Sequence, residues 1–194
     1  MIPEYGYITL NHDSYDAWKN AVNDRAFDFD GQFGCQCYDL LVEFWWNVGF
    51  PQGYPTNADT GSAYGIWTDR NNNVAYDGTT YFDLITDKTL IKRGDIIIYN
   101  HFPGNAYGHA GFADEDYHNS NSINILSQNN GGTPTVGGGS ATNVHDYDLT
   151  YFLGAFRYKG WGQPVPPTPT TTSKFPFVLF AKKARERKYG IIKR

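Results

Sequence analysis

The order of apolar and polar positions divides the chain into a helical part and a strand part. SYDAWKNAVNDRA, from Ser14, has apolar residues at helical spacing behind a serine suited to an N-cap, and predicts a short first helix. A second apolar stretch predicts a helix from about Gln36 to Val48, ending near Gly49. Residues 51–80 are rich in Gly, Asn, Asp and Tyr and read mostly as loop, with a possible helix around SAYGIW. From residue 92 the pattern changes to strands, KRGDIIIYN, GHAGFAD, SINILSQN and DLTYFLGAFRY, each bounded by turn residues. Two helices followed by antiparallel strands predict an α+β domain.

With 194 residues, 40% of them hydrophobic and 17% aromatic, the chain can bury a core without covalent staples. Its two cysteines, Cys35 and Cys37, are too close in sequence to form an unstrained disulfide with each other. No basic-plus-apolar leader and no apolar run near the ~18 residues of a membrane span is present, so a protein made in soluble form is expected. Charge is uneven. Residues 174–194 hold eight Lys or Arg against one Glu, a balance of +7, which leaves −11 on residues 1–173 from the whole chain's −4. GQPVPPTPTTTS at 162–173 reads as a Pro/Thr linker, so the expected layout is a domain at 1–161, the linker, and a basic amphipathic tail at 174–194.

Candidate chemistry concentrates in DFDGQFGCQCYD at 28–39. A hard cation such as Ca²⁺ takes oxygen ligands from alternate positions of a twelve-residue loop, and here those are Asp28, Asp30, Gln32, Gly34 and Asp39. The glycine stands at position 4 instead of 6 and the last ligand is Asp, so a solvated Asp-Gly turn ahead of the helix is the competing reading. Cys37 lies at the predicted helix start, where unpaired N–H groups and the helix dipole favour a thiolate. A buried apolar cysteine or a zinc half-site are the other readings. A nucleophilic cysteine needs a base, and His109, at the start of a predicted strand, is the best placed of the five histidines. Asn129, at the end of INILSQN, is the candidate to orient its imidazole, in the papain-like order of Cys, His and Asn.

These stretches resemble a CHAP domain, the cysteine- and histidine-dependent amidohydrolase/peptidase module of the NlpC/P60 and papain-like group. The resemblance rests on DFDGQFGCQCYDLL with its G-x-Q-C-x-D core, RGDIIIY, YGHAGF, ILSQN and YFLGAFR, in order over about residues 14–158. It implies a papain-like fold with N-terminal helices on an antiparallel sheet, Cys37 as nucleophile after Gln36, His109 as base and Asn129 as orienter. It also implies Ca²⁺ on Asp28, Asp30 and Asp39 with carbonyls of Gln32 and Gly34. One position departs: Ser127 stands where many relatives have glutamate, so an acid that would favour the imidazolium is missing.

The implied activity is hydrolysis of peptidoglycan amide bonds, as amidase or endopeptidase, by a phage lysin. Such a lysin is made in the host cytoplasm and reaches the wall after holin release or within a virion. Trp67, Tyr64 and Tyr107 are candidates for the groove, and the basic tail could meet teichoic acid or a membrane surface. Nucleic acid is not an expected partner. The alternative is a non-catalytic wall-binding module or virion structural component that keeps the fold.

Overall fold

The computed structural model describes residues 12–29, 31–48, 61–70 and 81–162. Apart from Gly162, the expected linker and basic tail lie outside these residues, as does Asp30. Helix α1 spans Tyr15–Val22 and begins where the Ser14 hydroxyl accepts a hydrogen bond from the Ala17 N–H at 3.3 Å. Helix α2 spans Cys37–Asn47, and Asp39 in its first turn reaches back to accept the Gln36 N–H at 2.8 Å. Helix α3, Gly65–Thr68, is a single turn that overlaps the segment SAYGIW. No helix among the described residues is long and apolar enough to cross a membrane.

Six strands follow: β1 Phe82–Ile85, β2 Ile96–Tyr99, β3 His109–Ala113, β4 Ser122–Ser127, β5 Asn143–Asp148 and β6 Phe152–Tyr158. They form one antiparallel sheet in the order β1-β6-β2-β3-β4-β5. The α+β class expected from the pattern is the class observed. Strands β1 and β5 were not among the expected ones. Both are sheet edges, and the residues of β5 are largely exposed, so neither shows the apolar run that marked the central strands.

Alternation along the strands sorts the core into two layers. Ile96, Ile98, Ala110, Phe112 and Leu126 face α1 and α2, while Ile97, Tyr99, Ala113, Ile123 and Ile125 face the opposite side. On the helix side, Phe44 of α2 sits 5.5 Å from Trp18, 5.1 Å from Phe112 and 5.5 Å from Tyr158, ring centre to ring centre. These tilted and edge-on contacts hold α2 against the sheet, and truncating such a ring to alanine costs about 3–5 kcal/mol. On the opposite face Tyr99 of β2 meets Tyr147 of β5 at 5.1 Å across two intervening strands, so the sheet curls.

The RGD of RGDIIIY is structural. Asp95 is buried and accepts from Arg157 at 2.9 and 2.8 Å and from the Lys92 N–H at 2.9 Å. Arg93 pairs with Asp16 and Asp114, tying α1 to the loop after β3.

Candidate active site

Cys37 is the first residue of α2, and its position is fixed from both sides of the sequence. Behind it, the buried side chain of Gln128 donates to the carbonyls of Phe27 and Gln36, each at 2.8 Å, and accepts the Phe27 N–H at 2.9 Å. One amide group thereby ties the end of β4 to both ends of the 27–36 loop. Gly34 and Cys35 lie against the 137–139 turn, with the Cys35 N–H donating to the Gly138 carbonyl at 3.0 Å. The side chain of Cys35 is buried with Ala26 and Ala141, away from the imidazole. The thiol of Cys37 instead accepts from the backbone N–H of Ala110, the residue next to His109.

His109 opens β3 on the sheet face opposite the helices, and its Nε2 lies 2.9 Å from the hydroxyl of Ser127 at the end of β4. Gly111 makes this meeting possible: a Cβ there would come 2.8 Å from the Cβ of Ser127. Asn129, the expected orienter, does not fill that role in the structure. Its backbone turns to φ +59°, it is exposed, and its Nδ2 donates to the Gln36 side chain at 2.9 Å. The strand has ended at Ser127, so the alternation that would have carried Asn129 to the imidazole is broken. Gln36 in turn donates to the Phe33 carbonyl at 2.6 Å, which makes its side chain a brace between the loop and the 128–130 turn.

Tyr147 of β5 lies flat on the imidazole, with centroids 4.9 Å apart and planes 9° from parallel. Sequence reading passed over this residue because NVHDYD looks polar; only the pairing of β5 with β4, which sets Tyr147 opposite Ile123, turns it onto the His109 face. Trp67, expected at a groove, is instead buried against Phe156 at 5.2 Å, and Gly154 has no side chain because Trp67 fills that space. Tyr107 is 70% exposed near the start of β3 and is free to meet a ligand there.

Burial sets the protonation of the pair. The Cys37 thiol is pushed up to about 11, chiefly by burial and with a further push from Asp39. The N–H groups of Ala110, Tyr38 and Cys37 itself pull the other way without overcoming it. Burial lowers the His109 imidazole to about 4, helped by His145. The thiolate expected from the helix start is disfavoured here, because the helix N–H groups do not offset the loss of water around the sulfur. Burial thus favours the neutral form of each group.

In the 28–39 loop the donor set is all oxygen, which suits a hard cation. Asp28 accepts the Gly31 N–H at 2.7 Å, and Asp39 accepts the Phe29 and Gln36 N–H groups at 2.9 and 2.8 Å, one on each oxygen. Gln32 is exposed, and Gly34 has φ +70° with its Cα pressed against the 137–138 carbonyls. No group of three or more acidic, His or Cys side chains gathers among the described residues, which exclude Asp30.

No family model matches the chain. The D-alanyl-L-alanine endopeptidase of Streptococcus phage B30 is 31% identical over 159 residues, covering 81% of this chain and 33% of that protein. The chain therefore spans about a third of the length of that curated relative. Among solved structures, the wild-type endolysin LysIME-EF1 aligns with a TM-score of 0.54 at 26% identity, over 73% of this chain and 61% of that one. Ly7917 aligns with a TM-score of 0.42 at 18% identity, over 63% of this chain and 53% of that one.

Proposed function

We propose that this chain, which is similar to phage endolysins, is a peptidoglycan hydrolase of the CHAP type using Cys37 as nucleophile and His109 as base. The observation that supports this reading is that the Cys37 thiol accepts from the N–H of Ala110, the residue after His109, whose buried imidazole lies 2.9 Å from Ser127. With Nε2–H donating to Ser127, Nδ1 is the basic nitrogen. It takes the Sγ proton as sulfur attacks the amide carbonyl, and the N–H groups of the first helical turn receive the oxyanion. The C–N bond then breaks as the imidazolium returns that proton to the leaving amine, which leaves a thioester. Water, deprotonated by His109, hydrolyses the thioester, releasing the carboxylic acid and restoring the thiol.

A resting pair that is neutral couples proton transfer to attack. The thiolate forms as the carbonyl arrives, not beforehand. On this reading the site of action is the bacterial wall, reached from the host cytoplasm after holin opening or from a virion.

Calcium is part of the proposal as a structural ion. Asp28, Asp30 and Asp39, with carbonyls of Gln32 and Gly34, would hold it, and it would supply charge compensation and rigidity to the loop that presents Cys37. Bond-breaking is left to Cys37 and His109.

Turbidity of purified Gram-positive walls from several species tests both parts. Wild type is expected to clear one of them, Cys37→Ala to clear none, and chelator to lower both the clearing rate and the melting temperature. Clearing by Cys37→Ala at the wild-type rate would sink the mechanism, and a melting temperature indifferent to calcium would sink the ion.

A further inference from the structure

Two restraints meet on the His109 imidazole, and they act in different directions. Ser127 of β4 holds Nε2 at 2.9 Å, and Tyr147 of β5 covers one face of the ring with centroids 4.9 Å apart and planes 9° from parallel. Nε2 lies close to the axis of the Cβ–Cγ bond, so a hydrogen bond there holds the tip of the ring but leaves rotation about χ2 soft. That rotation sweeps Nδ1 while Nε2 hardly moves. A flat ring stacked on the face removes the freedom, because turning the imidazole would drive its edge into the neighbour.

Tyr147 is itself held in place. The ladder sets it opposite Ile123, and its ring meets Tyr99 at 5.1 Å and 48° and the edge of Phe102 at 6.5 Å and 81°. It packs there on the second core layer. Its phenol is pushed up to about 12, first by burial and then by the charge of Cys37, so it stays neutral near pH 7 and lies within electrostatic reach of the sulfur.

Charge gives the stack a second consequence. An imidazole that takes the Sγ proton becomes a cation in a buried place. Ser127 meets it with an uncharged hydroxyl, and His145 works against it. Tyr147 presents the negative face of an aromatic ring well inside the ~6 Å over which such faces attract cations.

We propose that Tyr147 is a positioning residue of the reaction, whose ring fixes the plane of His109 so that Nδ1 is aimed, and favours the imidazolium formed as the Sγ proton is transferred. The proposal rests on the hydrolase reading, which assigns that transfer to His109. Tyr147 neither gives nor takes a proton: it passes from Sγ to Nδ1 and on to the leaving amine.

The stack is tested first by NMR on the full-length protein. Nuclear Overhauser contacts between the Tyr147 and His109 rings are expected, with the imidazole protons shifted upfield by the stacked ring, and their absence would overturn the proposal. Clearing of purified walls is then compared for wild type, Tyr147→Leu and Tyr147→Phe, with a melting temperature measured for each. Tyr147→Leu keeps apolar volume and loses the flat face, so kcat should fall about tenfold with KM little changed, the scale of a cation–π contact in a desolvated place. Tyr147→Phe keeps the face and should recover most of that loss. Where Tyr147→Leu unfolds, Tyr147→Ile, a strand former of similar volume, carries the same comparison. A wild-type kcat in the aliphatic variant, a change in KM alone, a loss that only follows the unfolded fraction, or Tyr147→Phe as slow as Tyr147→Leu would each remove the role and leave the hydrolase reading standing. Clearing of no wall by wild type would remove the hydrolase reading and this role with it.

Discussion

Ser127 meets His109 with an uncharged oxygen, and what separates it from a carboxylate is charge, since the contact itself is made at 2.9 Å. Without an anion there, nothing offsets the burial that lowers the imidazole to about 4. Ser127→Ala removes the group that fixes the ring's orientation, and wall-clearing kcat is expected to fall about tenfold or more with KM little changed, measured on purified walls. Cys37 carries a second expectation. With a thiol held near 11, its alkylation by iodoacetamide at pH 7 should be slower than that of an ordinary exposed thiol, and should accelerate only above pH 9. Fast alkylation at pH 7 would show a thiolate already formed. At this scale the places of Cys37 at a helix start and His109 at a strand start were legible in the sequence from their neighbours. The exchange of Asn129 for Ser127 was not, because it depends on where β4 ends and on a positive φ that no residue pattern near Asn129 declares.

Loop 27–36 is held as a unit, and its supports lie about a hundred residues away in the chain. Gln128→Ala strips partners from the Phe27 N–H, the Phe27 carbonyl and the Gln36 carbonyl at once. A loss of about 3 kcal/mol is expected in urea unfolding, with activity falling further than the unfolded fraction explains. Gly34→Ala combines a left-handed backbone with a Cβ that would sit 2.4 Å from the Gly138 carbonyl oxygen, and should destabilise by about 2–4 kcal/mol. Gly31→Ala in the same loop meets no neighbouring atom and carries only the backbone strain, so it should cost about 1 kcal/mol. The apolar spacing of α1 and α2 and the runs of β2, β3, β4 and β6 were legible because each buries a continuous stripe or face. The edge strands β1 and β5 were not, since an edge strand takes its identity from a backbone ladder with its partner, and the residues of β5 are mostly polar and exposed.

For the molecule as a whole, Cys37 and His109 define a window of pH. His109 is 3% exposed and has its pKa lowered to about 4 in the folded state from an ordinary 6.5. Its contribution is complete above pH 6.5 and is lost as pH falls toward 4, where the unfolded chain binds a proton the folded one refuses, a change of ~3 kcal/mol. Cys37, raised to about 11 from an ordinary 9, contributes fully below pH 9 and loses its contribution as pH rises toward 11. Melting temperature against pH should therefore be flat between pH 6.5 and 9 and fall on both sides, with His109→Gln removing the acid-side slope assigned to this residue.

The sheet also decides when in its life the molecule becomes reactive. Cys37 leaves the ribosome early, but its support from Gln128, its partner on β3 and the ring of Tyr147 all come later, and β2 waits for β6 beside it. A nascent chain shorter than about 150 residues can hold Cys37 but not its surroundings, because domains close as units and distant pairings come last. Synthesis therefore proceeds without an assembled site, and the arrangement around Cys37 arrives in one step, near the completion of the domain.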